Sequence, residues 1–330
     1  AQALIRPYPA EAGIDPGAEI VDPAEGDIAF DELYRAWLKE QLSEEDNNNV
    51  ISELVLADEA KALKLIREIA DFLRRNRDAE PPHHLWSRTV CTDFVEAVRG
   101  FQHEISLFYF QEDKTVAACE AFAQMAETIG ALDLDGDLNS RTLVEMAVLP
   151  RDEACFTQKG AKRELQAKGA WGKAAKEAGH SKRYGEQAFQ DCQVHYEACH
   201  EGFAAAMESV ASELLTRIYA ALQDLLEKWR DYKRAAALLD FDDLLYTARD
   251  LLAENEDVRR ALAQRFQHVL VDEFQDTDPL QIDILWHICG ETPEDGNPET
   301  LARALRQGAL FLVGDPKQAI YRFRGADVQA

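Results

Sequence analysis

The chain has 330 residues, of which 46% are hydrophobic and 29% charged, enough apolar material for one large or two ordinary domains with cores of their own. No apolar run is long enough to span a bilayer and no basic-apolar-small leader opens the sequence, so neither a membrane-spanning helix nor a membrane partner is expected. A net charge of −25 argues against a nucleic-acid coat, but not against a motor with a narrow basic track, because local charge decides phosphate binding.

The first residue is Ala rather than Met, which reads as a piece of a longer protein. Residues 1–29 are rich in Pro and Gly and are expected to be an extended connector. Asp22-Pro23-Ala24-Glu25 reads as a helix start: Asp caps, Pro suits the first turn, and Glu follows three residues after the cap. Leu63, Ile66, Ile69 and Leu73 keep helical spacing until Pro81-Pro82 breaks it. Helical patterns resume from Phe94 to Leu132 and again up to Pro150. From Phe203 to Leu239 there is neither Gly nor Pro, and a long helix is expected. Residues 30–239 therefore read as one helical domain.

Two features inside that domain stand out. From Lys159 to Arg183 eight basic residues meet only Glu164 and Glu177, against the acidic average; a solvated face is the plainer reading of such a run. Cys192, His195 and Cys199 fall near one helical face with Phe189, Tyr196 and Phe203, and core packing explains them better than a metal. The six scattered cysteines suit a reducing cytoplasm.

After Leu239 the pattern changes. Asp240 starts an amphipathic helix with Phe241, Leu244, Leu245, Ala248, Leu251 and Leu252 on one face. Two short apolar runs follow, Val269-Leu270-Val271 and Leu310-Phe311-Leu312-Val313. Both end in carboxylates and read as buried strands of a parallel sheet, whose carboxyl ends are where ligands bind. The expected fold is α-rich α/β, with a small parallel sheet in residues 240–330 and the helical domain before it.

The first run leads into Asp272-Glu273-Phe274-Gln275-Asp276-Thr277-Asp278-Pro279-Leu280-Gln281. A strand ending in Asp-Glu fits a Walker B arrangement, in which Asp holds Mg2+ beside nucleotide phosphates and Glu orients and deprotonates water. Taken alone, such a pair also fits a strand that merely runs into a loop. Asp278 caps the next helix, and Gly290 ends it.

The second run leads into Gly314-Asp315-Pro316-Lys317-Gln318-Ala319-Ile320-Tyr321-Arg322-Phe323-Arg324-Gly325. The Gln318 amide suits a γ-phosphate. Tyr321 and Phe323, interleaved with Arg322 and Arg324, suit sequence-tolerant stacking on single strands at about 1–3 kcal/mol per base. Alone, these residues also fit a packed loop with solvated charges.

Together, DEFQDTDPLQ and, about forty residues on, GDPKQAIYRFRGAD resemble motifs II and III of UvrD/Rep-type superfamily-one helicases. LDFDDLL resembles the segment before motif II, and Tyr8 to Pro16 is similar to the opening of AddA/RecB-type helicase-nuclease subunits. The helical middle resembles the first motor domain's helical insertion in size and character. The resemblance implies an ATP-dependent helicase of DNA repair or recombination, acting on single-stranded and duplex DNA with ATP and Mg2+. A partner helicase-nuclease subunit or an attached exonuclease goes with that type. It implies Asp272 as the Mg2+ ligand, Glu273 as catalytic base, and Gln318 as γ-phosphate sensor. Gln275 and Asp315 would lie at the nucleotide, and Tyr321, Arg322, Phe323 and Arg324 at single-stranded DNA. Many relatives carry Trp where Phe323 stands, so the stacking face is smaller here.

Two parts that the resemblance implies for a working ATPase, the phosphate-binding loop and a second motor domain with its arginines, are not found in the sequence. No G-x-x-x-x-G-K-[ST] loop occurs; Gly172-Lys173 is followed by Ala174 and lacks the upstream glycine. The chain is therefore expected to be an incomplete P-loop motor domain with the insertion, inactive in isolation. The alternative is a non-enzymatic helicase-like module that binds DNA or a partner. The intact acids of the first motif argue against it.

Overall fold

Asp22 starts a helix as its sequence implies, its Oδ1 accepting from the Ala24 N–H at 2.9 Å. That helix belongs to a chain whose computed structural model describes residues 1–43, 48–82, 86–110, 112–132, 134, 138–165, 167–291, 304–315 and 317. The fold is helix-rich α/β, and its residues gather into two units: 1–34 with 227–330, and 35–226. The divisions fall inside two helices, α2 (Pro23–Ser43) and α9 (Lys182–Ala235), where an unbroken helical period leaves no mark in the sequence. Among the described residues no helix is long and apolar enough to cross a membrane.

Unit 35–226 is helical. It contains α3 (Val50–Ala57), α4 (Glu59–Arg75), α5 (Arg88–Ser106), α6 (Asp113–Ala131), α7 (Ser140–Ala147), α8 (Lys168–Glu177) and most of α9. Side-chain caps set several starts: Asn49 accepts from Ile51 and Ser52, Asp58 from Lys61, and Asn139 from Thr142. The core is aromatic, with Phe94 edge-on to Phe122 and Phe203 at 6.1 and 5.5 Å. Cys192 and Cys199 are fully buried there, and burial pushes the Cys192 thiol up to about 12.

Unit 1–34 with 227–330 holds the strands. The expected connector is instead a short helix, α1 (Gln2–Ile5), a series of turns, and β1 (Glu19–Ile20), which pairs parallel with β2 (Leu238–Leu239). Ile5 is buried in a core with Leu244, Leu251, Leu262 and Ile284, and this burial fixes the segment where Pro and Gly alone suggested a linker. Each such aliphatic side chain contributes about 1.5–3 kcal/mol. The core lies between α10 (Phe241–Glu254), α11 (Glu256–Arg265) and α12 (Pro279–Cys289). Asp240 and Asp243 form a capping box at the start of α10. Phe241 departs from expectation: it is 71% exposed, because it is the first residue of α10 and the core takes Leu244, Ala248, Leu251 and Leu252.

β3 (Val269–Val271) pairs parallel with β4 (Leu310–Leu312), Val269 opposite Leu310 and Val271 opposite Leu312. A parallel pair needs a long crossover, and α12 lies within it. The expectation that both strands are buried fails at Leu270 and Phe311, which are opposite each other and 77% and 52% exposed, and also at Leu312 and Val313, 42% and 63% exposed. Full burial of a parallel strand requires cover on both faces; among the described residues only the face with Val269 and Leu310 packs against the core.

Candidate active site at the ends of β3 and β4

The register of β3 and β4 fails by one residue at their carboxyl ends. The Val313 N–H donates to the Val271 carbonyl at 2.8 Å, as a parallel ladder requires. The Val313 carbonyl is then due an N–H from residue 273, but takes that of Phe274 at 2.9 Å. Asp272 and Glu273 therefore stand on a bulge. Glu273 adopts φ 54°, ψ 42°, a left-handed conformation that costs a non-glycine residue of order 1–3 kcal/mol. Its freed N–H is taken by the Asp272 Oδ1 at 3.0 Å. Both side chains are exposed at the strand end.

A short 3-10 turn, Phe274–Asp276, follows and brings Gln275 inward, 6% exposed. Its Nε2 donates to Glu273 Oε2 at 2.5 Å. Its Oε1 accepts from the Asp315 N–H at 2.9 Å. Gly314 makes room for this contact, since a Cβ there would lie 2.6 Å from Gln275 Oε1. Asp315 turns the chain, its Oδ1 accepting from the Lys317 N–H at 3.0 Å. Asp278 caps α12 through the Gln281 N–H at 2.8 Å, with Pro279 in the first turn and Gly290 at its end.

Asp272, Glu273 and Asp276 line one groove of about 960 Å³, whose apolar wall includes Phe241, Leu245 and Ile284. The Asp276 Oδ1 is buried and has no hydrogen-bond partner among the described residues. Among those residues no cluster of three or more His, Cys, Asp or Glu could hold a metal by itself. The groove thus offers carboxylate side chains at a strand end.

The structure therefore brings Asp272, Glu273, Gln275 and Asp315 together. Gln318, Tyr321, Arg322, Phe323 and Arg324 lie outside the described residues. Asp276 and Gly314 were missed as site residues. A glycine directly after a strand, before Asp-Pro, was the available signal for close backbone approach. In the basic segment, Lys162 pairs with Glu197, Lys173 with Glu177 and Lys182 with Glu186, all of them exposed or half-buried on the surface.

The UvrD/REP helicase N-terminal domain family matches residues 27–330, and the chain belongs to that family. It is 26% identical to an ATP-dependent helicase/nuclease subunit of Listeria monocytogenes serotype 4b (strain F2365), over 98% of this chain and 27% of that protein. It is 39% identical to the RecBCD enzyme subunit RecB of Escherichia coli (strain K12), over 39% of this chain and 10% of that protein. To the ATP-dependent DNA helicase UvrD1 of Mycobacterium tuberculosis (strain ATCC 25618 / H37Rv) it is 35% identical over 39% of this chain and 15% of that protein. The chain thus spans about a quarter of the Listeria helicase/nuclease protein it matches.

Proposed function

We propose that the chain is the part of a DNA helicase's first motor domain that hydrolyses ATP and grips the strand, in a full-length protein that moves on single-stranded DNA and opens duplexes during repair or recombination. The observation that carries this reading is the carboxylate pair Asp272 and Glu273, presented on a bulge at the carboxyl end of β3. Mg2+ bound with ATP supplies the Lewis acid that neutralises charge on the phosphoryl oxygens. Asp272 would hold that ion, and Asp276 lines the same groove. Glu273 would take the proton of the attacking water, whose oxygen forms the new bond to the γ-phosphorus while the bond to the β–γ bridging oxygen breaks and ADP leaves. Gln275 and Asp315 border this centre, and Gln318 follows in sequence as the γ-phosphate sensor. Tyr321 and Phe323 offer stacking faces, and Arg322 and Arg324 neutralise strand phosphates.

The relatives' names favour a full-length protein of the helicase-nuclease type, with a nuclease domain or a partner subunit. Without a P-loop lysine and its backbone cradle, the isolated chain hydrolyses ATP negligibly; a turnover near about 1 s⁻¹ would refute this. In the full-length protein Glu273→Gln lowers ATP turnover by about 100-fold or more and leaves single-strand affinity intact. Unchanged turnover overturns the base assignment. Salt titration of single-strand binding tests the DNA assignment: removing Arg322 and Arg324 lowers the log–log slope by about 1.4, at about 0.7 per phosphate contact.

A further inference from the structure

We propose that Gln275 is a positioning residue that fixes the Glu273 carboxylate and makes its placement depend on the loop after β4. The inference rests on the reading of Glu273 as the water-activating base. Gln275 uses both ends of one rigid, planar carboxamide in opposite directions: Nε2 donates to Glu273 Oε2, and Oε1 accepts from the Asp315 N–H. Gln275 itself is buried, so losing either bond would leave one of its polar ends poorly solvated.

Because the group is planar, a shift of Asp315 must turn the same amide that holds Glu273. Glu273 itself leaves the ladder, with its own N–H turned to Asp272, so its side chain takes its direction largely from Gln275. Gly314 lets the two strand ends come close enough for this bridge, and any side chain there would push the amide aside. By sequence, Asp315 opens the segment that carries Gln318 and then Tyr321 to Arg324. Gln275 thus gives the start of that segment a hydrogen-bonded connection to the base.

The assignment differs from a nucleotide contact by Gln275, and kinetics of the full-length helicase separate the two. Gln275→Glu keeps an oxygen for the Asp315 N–H but cannot donate to Glu273, whereas Gln275→Ala loses both. Both variants are expected to lower kcat for DNA-stimulated ATP hydrolysis by at least about tenfold, with KM for ATP within about twofold of wild type. A wild-type kcat for Gln275→Glu overturns the proposal, as does a raised KM with kcat unchanged, which would mark a nucleotide contact. Should Gln275→Ala lose its melting transition, Gln275→Glu decides alone. Glu273→Gln is run beside them. If it retains turnover, the base reading itself fails; if it is inactive while Gln275→Glu is normal, only the role of Gln275 fails.

Discussion

Gly314 lies so close to Gln275 that a Cβ built on it would stand 2.6 Å from Oε1 and 3.1 Å from the Phe274 main-chain nitrogen. The glycine is therefore a requirement of the strand ends rather than of a turn alone. Gly314→Ala forces the Gln275 amide to move and breaks its bond from Asp315. The expected cost is about 1–3 kcal/mol by urea unfolding. The same substitution made on a Gln275→Ala background should cost clearly less, because the obstructing oxygen is gone. Additive costs in that double-mutant cycle would show that the two residues do not meet as described.

Lys233, near the end of α9, is 4% exposed and sits among carboxylates. Its Nζ reaches Asp240 Oδ2 at 2.6 Å and both Asp243 oxygens at 2.8 and 2.7 Å. Its charge also lies 5.1 Å from the Trp229 ring centre. Lys233→Met strands these acids and is expected to destabilise the unit by about 3–5 kcal/mol. Adding Asp240→Asn and Asp243→Asn should recover much of that loss, since Asn still caps a helix. A loss below about 1 kcal/mol for Lys233→Met would mean that the cluster is solvated.

His200 is buried between aromatic rings, 4.9 Å from Phe122, 5.1 Å from Phe156 and 4.7 Å from Tyr196. Burial, helped by the nearby Lys162 charge, lowers its pKa from 6.5 to about 4. The unfolded chain therefore binds this proton more readily than the folded one. Stability is complete above pH 6.5 and falls as the pH drops towards 4, by up to about 3 kcal/mol. His200→Phe, close in size and at home among rings, should flatten the unfolding free energy across that window. An unchanged slope between pH 6.5 and 4 in the variant would rule out His200 as its source.

Several starts and stops were legible because they are local. Asp22, Asp240 and Asp278 cap the helices that their sequences imply, each through a main-chain N–H two or three residues away. The parallel strands were visible as short apolar runs ending in acids. Phe241, Leu270 and Phe311 were read as buried because apolar character says that a residue can be buried, not that a neighbour exists to cover it. The opening residues were read as a connector because nothing in their Pro and Gly content reveals that Ile5 packs against α10.

The sequence by itself determined the helical periods, the caps and the kinds of group available at the strand ends, because those depend on residues within a turn or two of one another. It also held the two motifs that resemble those of the UvrD/REP helicase family, to which the chain belongs. Only the tertiary structure decided that Glu273 stands on a bulge and that Gln275 faces inward to join it to Asp315. That joint spans 40 positions and exists only when two strands pair in one register, so no local pattern could encode it.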